Sequence, residues 1–385
     1  MVGLMTALKV SILTHDIGGG TFTNLCTDLV RGFQELGADP QLVILAATDA
    51  ELARYPDIPI VPLQVKRTAF SLPATVRYLR EYQPDVLLPM PWYFNVVAVL
   101  ARALSGVKTK VVLGEHNIIS LEASIEHRDK PHLRFLPLLM RCTYPHSDGL
   151  VGVSKDTITD LVETLKIPAK IPMRVILNPV NLDRIQPLTQ AAIDHPWFQN
   201  QDIPVIVTAA RLAKQKQLDG LLRAFAQVTN AMPARLLILG EGPLRGELEA
   251  LSRDLGIADS VWMPGYDANP YRYMTQCDVF VLASAWEGCP IALQEAMTCG
   301  AAVVVTDAPG GMKDIVEYGT SGLLVAAGNP DALAAGLLQV LTQPALKRHC
   351  REQARTRSQA FHYRNTSQQY LDFCQSVLSA TQHGR

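Results

Sequence analysis

Two glutamates separated by seven residues, Glu287 and Glu295, are the side chains of this sequence best suited to binding a polar ligand. They lie in the stretch SAWEGCPIALQEAMTCG, between the apolar runs DVFVLA and AAVVVTD. The pattern predicts Glu287 in the turn after a strand and Glu295 about one and a half turns inside the next helix. Both then reach the sheet edge where open α/β folds bind ligands. The alternative is that Glu287 is an acid at a helix start and Glu295 a solvated surface charge.

The chain between these glutamates is predicted to bind an anion. Pro290 suits the first position of a helix, and the N–H groups from Cys289 to Ala292 would have no partner inside that helix. N–H groups at a helix start bind phosphate. The candidate ligand-binding residues of this stretch are Gly288, Cys289, Pro290 and Ile291. A phosphate with a sugar on either side would fit the arrangement.

Two cations, Arg211 and Lys216, lie in the stretch AARLAKQKQL directly after a predicted strand. An arginine makes a forked contact and a lysine provides a point charge, so both could bind one anion at the same edge of the sheet. The alternative is an ordinary solvated loop.

Three consecutive glycines follow the first predicted strand, in the stretch HDIGGGTFTN. Glycine lets a backbone approach a phosphate closely, which makes Gly19 and Gly20 candidate binding residues. The run is not a dinucleotide fingerprint, because Thr23 stands where the third glycine would be. It is not a P-loop, since no Gly-Lys-Ser/Thr follows. A tight turn without a ligand is the alternative.

One histidine, His116, lies in the stretch GEHN at the end of another predicted strand. At that position it is expected to face the crevice between the two halves of the chain. Isolated histidines are often structural, and that is the alternative for His116.

Strands and helices alternate along the chain, and the alternation starts twice. Continuous runs of Val, Ile and Leu are typical of parallel strands covered on both faces. The predicted strands are residues 8–15, 40–47, 85–90, 110–114, 149–154, 173–177, 203–209, 235–240, 278–284, 302–306 and 322–325. The predicted helices include residues 21–36, 218–230 and 244–255, and residues 345–381 are mostly helical. Two doubly wound α/β domains are therefore expected, with a break in the polar stretch 183–202.

The composition excludes several classes of protein. The 385 residues are 48% hydrophobic and 18% charged, which indicates a folded chain of about two domains rather than a disordered one. A net charge of −1 provides no general attraction for nucleic acid, so no such partner is expected. The seven cysteines form no CxxC pair, which argues against zinc and disulfide frameworks. No signal-peptide pattern opens the chain, and Arg102 interrupts its most apolar stretch, so a cytoplasmic protein is expected.

In combination, these motifs resemble the GT-B glycosyltransferases, and among them the retaining family 4 group. The matching positions are the glycines at 18–20, His116, Arg211 with Lys216, GEGP at 240–243, and the E-x7-E pair of Glu287 and Glu295. Further similar stretches are VGVSKDT, ILNPVN, GYDANPY and TDAPGGMKDIV. The sequence departs from the family pattern at Gln217, where glycine is usual, and at Pro179, Asn181, Cys289, Met312 and Asp314. None of these departures removes a charged catalytic group.

The resemblance implies a fold and a division of the chain. A GT-B protein has two Rossmann-like, doubly wound parallel-sheet domains that face a central cleft. The expected domains are an acceptor-side domain at residues 1–185, a nucleotide-sugar donor domain at 186–360, and a C-terminal helix at 361–385 that packs back on the N-terminal domain. C-terminal helices that cross between the domains are expected as well.

The resemblance also implies an activity: transfer of a hexose from a nucleotide-diphosphate sugar, most often a UDP-sugar, to a saccharide or lipid-linked acceptor with retention of configuration. In that pattern Glu287 holds donor-sugar hydroxyls, Glu295 accepts hydrogen bonds from the ribose, and His116 contacts the donor sugar. Arg211 and Lys216 would stabilise the departing diphosphate without a metal ion or other cofactor, and the sequence contains no Asp-x-Asp. The further donor-binding residues implied are Gly19, Gly20, Gly240, Glu241, Gly265 and Tyr266.

Other classes of protein stay open at this point. A NAD-dependent oxidoreductase suits the fold, and Asp49 could be its acid after the second strand, but Thr23 lacks the required glycine. A catalytically inactive GT-B protein that binds nucleotide or carbohydrate is a second alternative, and a nucleotide-sugar epimerase is a third.

A peripheral contact with the inner membrane face is a further expectation. The segment 127–144, HRDKPHLRFLPLLMRCTY, mixes basic residues with large apolar ones at helical spacing. This mixture suits a membrane surface. An ordinary amphipathic helix is the alternative.

Overall fold

The computed structural model describes residues 7–126, 135–199 and 202–380. The chain forms two compact units: Met1–Pro179 with His362–Arg385, and Val180–Phe361. Each unit is an α/β domain built on one parallel sheet. The predicted class of two Rossmann-like parallel-sheet domains is therefore confirmed.

The described part of the first unit contains a seven-stranded sheet in the order β3-β2-β1-β4-β5-β6-β7. Its strands are β1 (Lys9–Leu13), β2 (Asp39–Ile44), β3 (Ile60–Pro62), β4 (Val86–Pro89), β5 (Lys110–Glu115), β6 (Gly149–Gly152) and β7 (Met173–Val175). Its helices are α1 (Thr21–Glu35), α2 (Asp49–Leu52), α3 (Ser71–Tyr82), α4 (Trp92–Ser105), α5 (Ile119–Leu121), α6 (Leu136–Thr143) and α7 (Lys155–Thr159). The strand order reverses between β1 and β4, which is where open α/β sheets bind ligands.

The described part of the second unit contains a six-stranded sheet in the order β10-β9-β8-β11-β12-β13. Its strands are β8 (Val205–Ala209), β9 (Arg235–Leu239), β10 (Val261–Gly265), β11 (Val279–Leu282), β12 (Val303–Asp307) and β13 (Leu323–Ala326). Its helices are α8 (Leu182–Leu188), α9 (Pro196–Gln199), α10 (Leu218–Ala231), α11 (Arg245–Asp254), α12 (Tyr271–Gln276), α13 (Ile291–Thr298), α14 (Met312–Ile315), α15 (Pro330–Thr342) and α16 (Pro344–Ser358). Here the order reverses between β8 and β11.

The chain returns to the first unit through α17 (Tyr363–Ala380), which packs on α1. The contact is close at Gly32, where an added Cβ would lie 2.1 Å from Ser367 Oγ. Tyr363 and Arg364 add hydrogen bonds to the Glu35 carboxylate at the end of α1. The C-terminal helix is thus part of the first unit.

Two strands escape the sequence pattern, β3 and β10, and both are edge strands. β3 is three residues long and ends in Pro62, and β10 includes Pro264. A proline cannot donate to a neighbouring strand, so it is tolerated at a sheet edge and weakens the strand signal.

Within residues 7–126, 135–199 and 202–380, no helix combines the length and the apolar character needed to cross a bilayer.

Candidate active site

An ion pair between Lys216 and Glu287 lies at the switch point of the second unit. Lys216 follows β8 and Glu287 follows β11, the two strands between which the order reverses. Lys216 Nζ donates to Glu287 Oε1 at 2.5 Å, and Ser284 Oγ donates to the same oxygen at 2.7 Å. Glu287 is only 6% exposed. Two of the sequence-predicted residues are thus brought into direct contact.

Hydrogen bonds between three loops hold this ion pair in place. The N–H of Ala285 donates to the carbonyl of Gln215 at 2.8 Å, and Gln215 Nε2 donates to the carbonyl of Trp286 at 3.0 Å. The N–H of Glu287 donates to the carbonyl of Pro309. At the adjacent Gly310, φ is 121° and an added Cβ would lie 1.5 Å from the Glu287 carbonyl oxygen. Only glycine fits at this position of the loop.

The other predicted cation, Arg211, lies two residues after β8 on the same loop as Lys216 and is exposed. The stretch GEGP supports this loop from β9. The N–H of Leu212 donates to the Glu241 carbonyl at 2.9 Å, and a Cβ at Gly240 would lie 2.0 Å from the Ala210 carbonyl oxygen. Gly240 therefore allows the loop that carries Arg211 to approach β9.

The other predicted donor-binding residues near this loop are Glu241, Gly265 and Tyr266, and their environments differ. The N–H of Gly240 donates to the carbonyl of Gly265, whose φ is 104°. The Glu241 carboxylate pairs with Arg245 at 2.8 Å and is largely exposed. Tyr266 is 70% exposed. These predicted donor-binding residues thus lie at the ends of β9 and β10, around the loop that follows β8.

The helix after Glu287, α13, begins at Ile291, so the expectation of Pro290 at its first position is wrong. Pro290 has a ψ of 104°, which is extended rather than helical, and it is the residue that caps the helix. Its carbonyl accepts the N–H groups of Leu293 and Gln294. Two neighbouring predicted residues are held by the same loops: the Gly288 carbonyl accepts the N–H of Gly311, and Cys289 is buried with its Sγ 3.4 Å from Gln294 Oε1.

The second predicted glutamate, Glu295, lies inside α13 and is 5% exposed. The alternative of a solvated surface charge is therefore wrong. The Tyr271 hydroxyl donates to Glu295 Oε1 at 2.8 Å and accepts from Arg184 Nη1 at 3.0 Å. Burial and the nearby charge of Glu295 raise the pKa of Tyr271, so the phenol stays protonated and acts as the donor. Sequence reasoning missed this role of Tyr271, although GYDANPY contains it, and nothing local pointed to Arg184.

A cavity of about 560 Å³ lies beside the switch point of the first unit. Its lining comes from the ends of β1, β4 and β5 and the starts of α1 and α4: Thr14, His15, Asp16, Gly19, Phe22, Thr23, Pro91, Trp92, Tyr93, Glu115, His116, Asn117 and Glu122. The φ angles of Gly19 and Gly20 are 116° and 89°, and an added Cβ would meet nothing within 4 Å at either position. The positive φ angles of the turn, rather than crowding, favour glycine at these two positions. The triple glycine thus borders a cavity, as a binding loop would.

The predicted His116 is one of the residues that line this cavity. Its Nδ1 lies 3.1 Å from Asn178 Oδ1, and its ring meets Phe22 edge-on at 5.2 Å. Burial lowers the pKa of His116 to about 4, which keeps the imidazole neutral at pH 7. A neutral imidazole accepts a hydrogen bond at one nitrogen and donates at the other.

The residue before it, Glu115, is completely buried and was missed as a site residue although it lies in GEHN. Its Oε1 accepts the Tyr144 hydroxyl and, at 2.6 Å, Asn95 Nδ2. Burial raises the pKa of Glu115 to about 8, so the carboxyl is protonated at pH 7. A buried carboxyl with a shifted pKa beside a cavity is typical of functional sites.

Both halves of the chain match known families of proteins. Residues 22–184 match the family described as Glycosyltransferase Family 4. Residues 190–357 match the family described as Glycosyl transferases group 1.

Relatives with assigned names cover most of the chain. A Campylobacter jejuni protein, N-acetylgalactosamine-N,N'-diacetylbacillosaminyl-diphospho-undecaprenol 4-alpha-N-acetylgalactosaminyltransferase, is 30% identical over 310 residues, which is 80% of this chain and 79% of that protein. The N-acetyl-alpha-D-glucosaminyl L-malate synthase of Bacillus anthracis is 25% identical over 75% of this chain and 74% of its own length.

Solved structures share the fold over nearly the whole chain. HepE of Anabaena, in complex with UDP and glucose, aligns with a TM-score of 0.76 at 20% identity, over 96% of this chain and 100% of that structure. Sucrose-phosphate synthase from Thermosynechococcus elongatus aligns with a TM-score of 0.78 at 18% identity, over 97% and 100%.

Proposed function

This chain belongs to the group 1 and family 4 glycosyltransferases, and from that premise we propose that it moves a hexose from a UDP-sugar to a saccharide or lipid-linked acceptor with retention of configuration. Synthesis of a polysaccharide or glycolipid is the process that such a transfer serves. The observation that carries the proposal is the Lys216–Glu287 pair at the switch point of the second unit, where ligands of open α/β sheets bind.

The chemistry demands positive charge around the leaving group. When the bond between the sugar carbon and the diphosphate oxygen breaks, negative charge grows on the diphosphate. Lys216 and Arg211, both on the loop after β8, supply that charge. The acceptor hydroxyl oxygen bonds to the same sugar carbon, and its proton goes to a phosphate oxygen. The sugar passes through an oxocarbenium-like state, as in other glycosyl transfers.

The two glutamates hold the donor in this proposal. Glu287 binds hydroxyls of the donor sugar. Its bond to Lys216 places a carboxylate and a cation side by side. This arrangement suits a donor in which the sugar is joined directly to a phosphate. Glu295 accepts hydrogen bonds from the ribose, because an ionised carboxylate is an acceptor only. The Tyr271 hydroxyl, which itself accepts from Arg184, orients this carboxylate.

The relatives support the proposed donor and acceptor classes. HepE is solved with UDP and glucose, and the name of the Campylobacter jejuni relative contains a diphospho-undecaprenol acceptor. We propose the same two classes for this chain, a UDP-sugar and a lipid-linked or free saccharide. We also propose that the reaction needs no metal ion, because Arg211 and Lys216 supply the charge and the sequence has no Asp-x-Asp.

A peripheral membrane contact is proposed from α6, in keeping with a cytoplasmic protein at the inner membrane face. Phe135, Leu138 and Leu139 on or beside this helix are 69%, 59% and 43% exposed. The basic positions Arg128, Lys130 and Arg134 of the same segment lie outside the described residues. Flotation with phosphatidylglycerol vesicles should recover the protein, and Leu138→Ser should reduce recovery more than Leu36→Ser, a change at an exposed leucine just after α1. Equal recovery of both variants, or none at low salt, would end this part of the proposal.

The function is tested by release of UDP from UDP-hexoses in the presence of chelator, with and without saccharide acceptors. Turnover with chelator and an α-linked product from an α-linked donor, assigned by proton NMR, are the expected results. UDP binding without turnover on any donor would instead favour the inactive carbohydrate-binding alternative. Binding of NADH but not UDP would overturn the proposal altogether.

A further inference from the structure

The loop that joins β10 to α12, residues 266–270, is tied by side chains to the end of α8 and the chain after it. Asn269 Nδ2 donates to the Leu188 carbonyl at 2.9 Å, and Arg272 Nη1, on α12, donates to the Ala192 carbonyl at 2.9 Å. The two acceptors lie 81 and 80 positions earlier in the chain than their donors. These bonds therefore fix the place of the loop in the fold, which a local turn cannot do.

The carboxylate of Asp267 connects these ties to the loop itself. Its Oδ2 accepts Arg272 Nη2 at 2.6 Å and the Tyr273 hydroxyl at 3.2 Å. Its Oδ1 accepts the N–H of Asn269 at 2.8 Å. Although burial opposes ionisation, the hydrogen bonds from Asn269 and Arg272 lower the pKa of Asp267, so the group is a carboxylate at pH 7. One charge thus links the turn of the loop to the guanidinium that reaches Ala192.

The same loop lies directly beside a residue of the proposed donor site. Tyr271 is the next residue after the loop, and its hydroxyl donates to Glu295, the carboxylate proposed to bind the ribose. Gly265 and Tyr266, where β10 passes into the loop, are themselves predicted donor-binding residues, and Tyr266 is 70% exposed. The loop therefore borders the site proposed for the nucleoside half of the donor.

We propose that Asp267 and Arg272 are positioning residues, which hold the loop 266–270 in the conformation that binds the nucleoside of the donor. This inference rests on the proposed glycosyltransferase function, and the two residues act through the loop rather than by contact with the substrate. A loop that is ordered only when the nucleotide binds loses conformational entropy at that moment, which weakens binding. Hydrogen bonds that order the loop beforehand remove part of this cost.

The ion pair of this device suits a positioning role better than a role in holding the fold together. The side chains of Arg272 and Asp267 are 26% and 21% exposed, so water still reaches both. Ion pairs of this kind contribute little to the stability of a protein. Breaking the pair should therefore shift the midpoint of thermal unfolding by no more than about 4 °C. We expect its main effect to be on the affinity for the nucleotide.

Asp267→Ala and Arg272→Ala test the device in the full chain, with UDP as the probe in titration calorimetry. We expect each to raise the Kd for UDP by about five- to tenfold, and the double variant to fall short of the product of the two effects, because both changes break one connected set of bonds. Lys347→Ala is the matched control. It removes the cation of another ion pair of the second unit, 2.7 Å from Asp278, with side chains 25% and 29% exposed. Asp278 precedes β11, at the end of that strand away from the ligand edge, so the Kd should not change.

A conservative variant and steady-state kinetics separate positioning from a merely structural role. In Asp267→Asn the side-chain oxygen still accepts the N–H of Asn269, but the neutral amide loses the charge-assisted bond to Arg272. Its Kd for UDP should lie between those of wild type and Asp267→Ala, and this comparison stands even if Asp267→Ala does not fold. All three variants should raise the donor KM and keep kcat within about twofold, because Lys216 and Glu287 lie on other loops.

Titrations with UDP and with UDP-glucose locate the effect on the donor. Both ligands should weaken by the same factor in Asp267→Ala, because the loop serves the nucleoside that they share. Weakening of UDP-glucose alone, wild-type affinity for UDP in both alanine variants, or an equal loss in Lys347→Ala would overturn the inference while leaving the proposed function intact. A wild-type chain that binds no UDP would contradict the proposed function itself and this inference with it.

Discussion

Lys216 Nζ and Glu287 Oε1 lie 2.5 Å apart, although 71 positions separate the two residues along the chain. The contact joins the loops that follow β8 and β11, at the switch point of the second unit. The cation proposed to meet the departing diphosphate is thus oriented by the carboxylate proposed to meet the sugar. A charge held in place before the reaction stabilises a transition state without the cost of reorganising the site.

Replacement of Lys216 should lower catalysis far more than it lowers stability. We expect Lys216→Ala to reduce kcat/KM by about 10² or more, the usual loss for a missing transition-state donor. Arg211→Ala should have a similar effect. Steady-state kinetics with the active UDP-hexose measure both. Lys214→Ala is the control, because Lys214 is an exposed lysine in the same turn. Turnover like that of wild type in both test variants would remove these cations from the mechanism.

The sequence pattern predicts the central strands and the loops after them well. Continuous apolar runs such as residues 279–282 and 303–305 lie in strands of the structure, because a strand segment buried on both faces has almost no polar side chains. The positions of Lys216 and Glu287 at one sheet edge follow from the same reasoning. Their ion pair does not, since a contact across 71 residues depends on how three loops pack.

Other features of the site lie beyond a local reading of the sequence. Tyr271 on α12 donates to Glu295, Arg184 on α8 donates to Tyr271, and no spacing rule joins these three residues. Glu115 looks like an ordinary acid after an apolar strand, and only the folded structure shows that it is completely buried, which raises its pKa to about 8. Pro290 satisfies the rule for a first helical residue, yet its ψ of 104° places it one position earlier.

Removal of the Tyr271 hydroxyl should weaken donor binding by releasing Glu295. In Tyr271→Phe the carboxylate loses its 2.8 Å donor and the link to Arg184. We expect the donor KM to rise by about five- to tenfold with a smaller change in kcat, which corresponds to about 1–1.4 kcal/mol for one hydrogen bond. Tyr318→Phe, at a 70% exposed tyrosine, is the control. An unchanged donor KM would show that Glu295 needs no orientation by Tyr271.

Gln217 occupies a backbone conformation that favours glycine, with φ 44° and ψ 43° between the turn of Lys214–Lys216 and α10. The related family usually has glycine at this position. Gln217→Gly should therefore raise the free energy of unfolding by about 1 kcal/mol, since a left-handed residue with a Cβ costs roughly that amount. Gln217→Ala also removes the side chain beyond Cβ but keeps the Cβ itself, so it should not raise the free energy of unfolding. Thermal unfolding of the three proteins measures the difference, and a lower midpoint for Gln217→Gly than for Gln217→Ala would contradict the argument.

The buried Glu115 should make the protein less stable as the pH rises. Its pKa is about 8 in the folded chain, whereas a solvated glutamate has a pKa of 4.5, so the folded state holds an extra proton between these values. Its contribution to stability is complete below pH 4.5 and is lost as the pH rises through 8, at up to about 1.4 kcal/mol per pH unit. Glu115→Gln cannot ionise, so its stability relative to wild type should increase over this range. Urea unfolding at several pH values measures the difference. Parallel curves for the two proteins would mean that Glu115 is already ionised in the folded state at neutral pH.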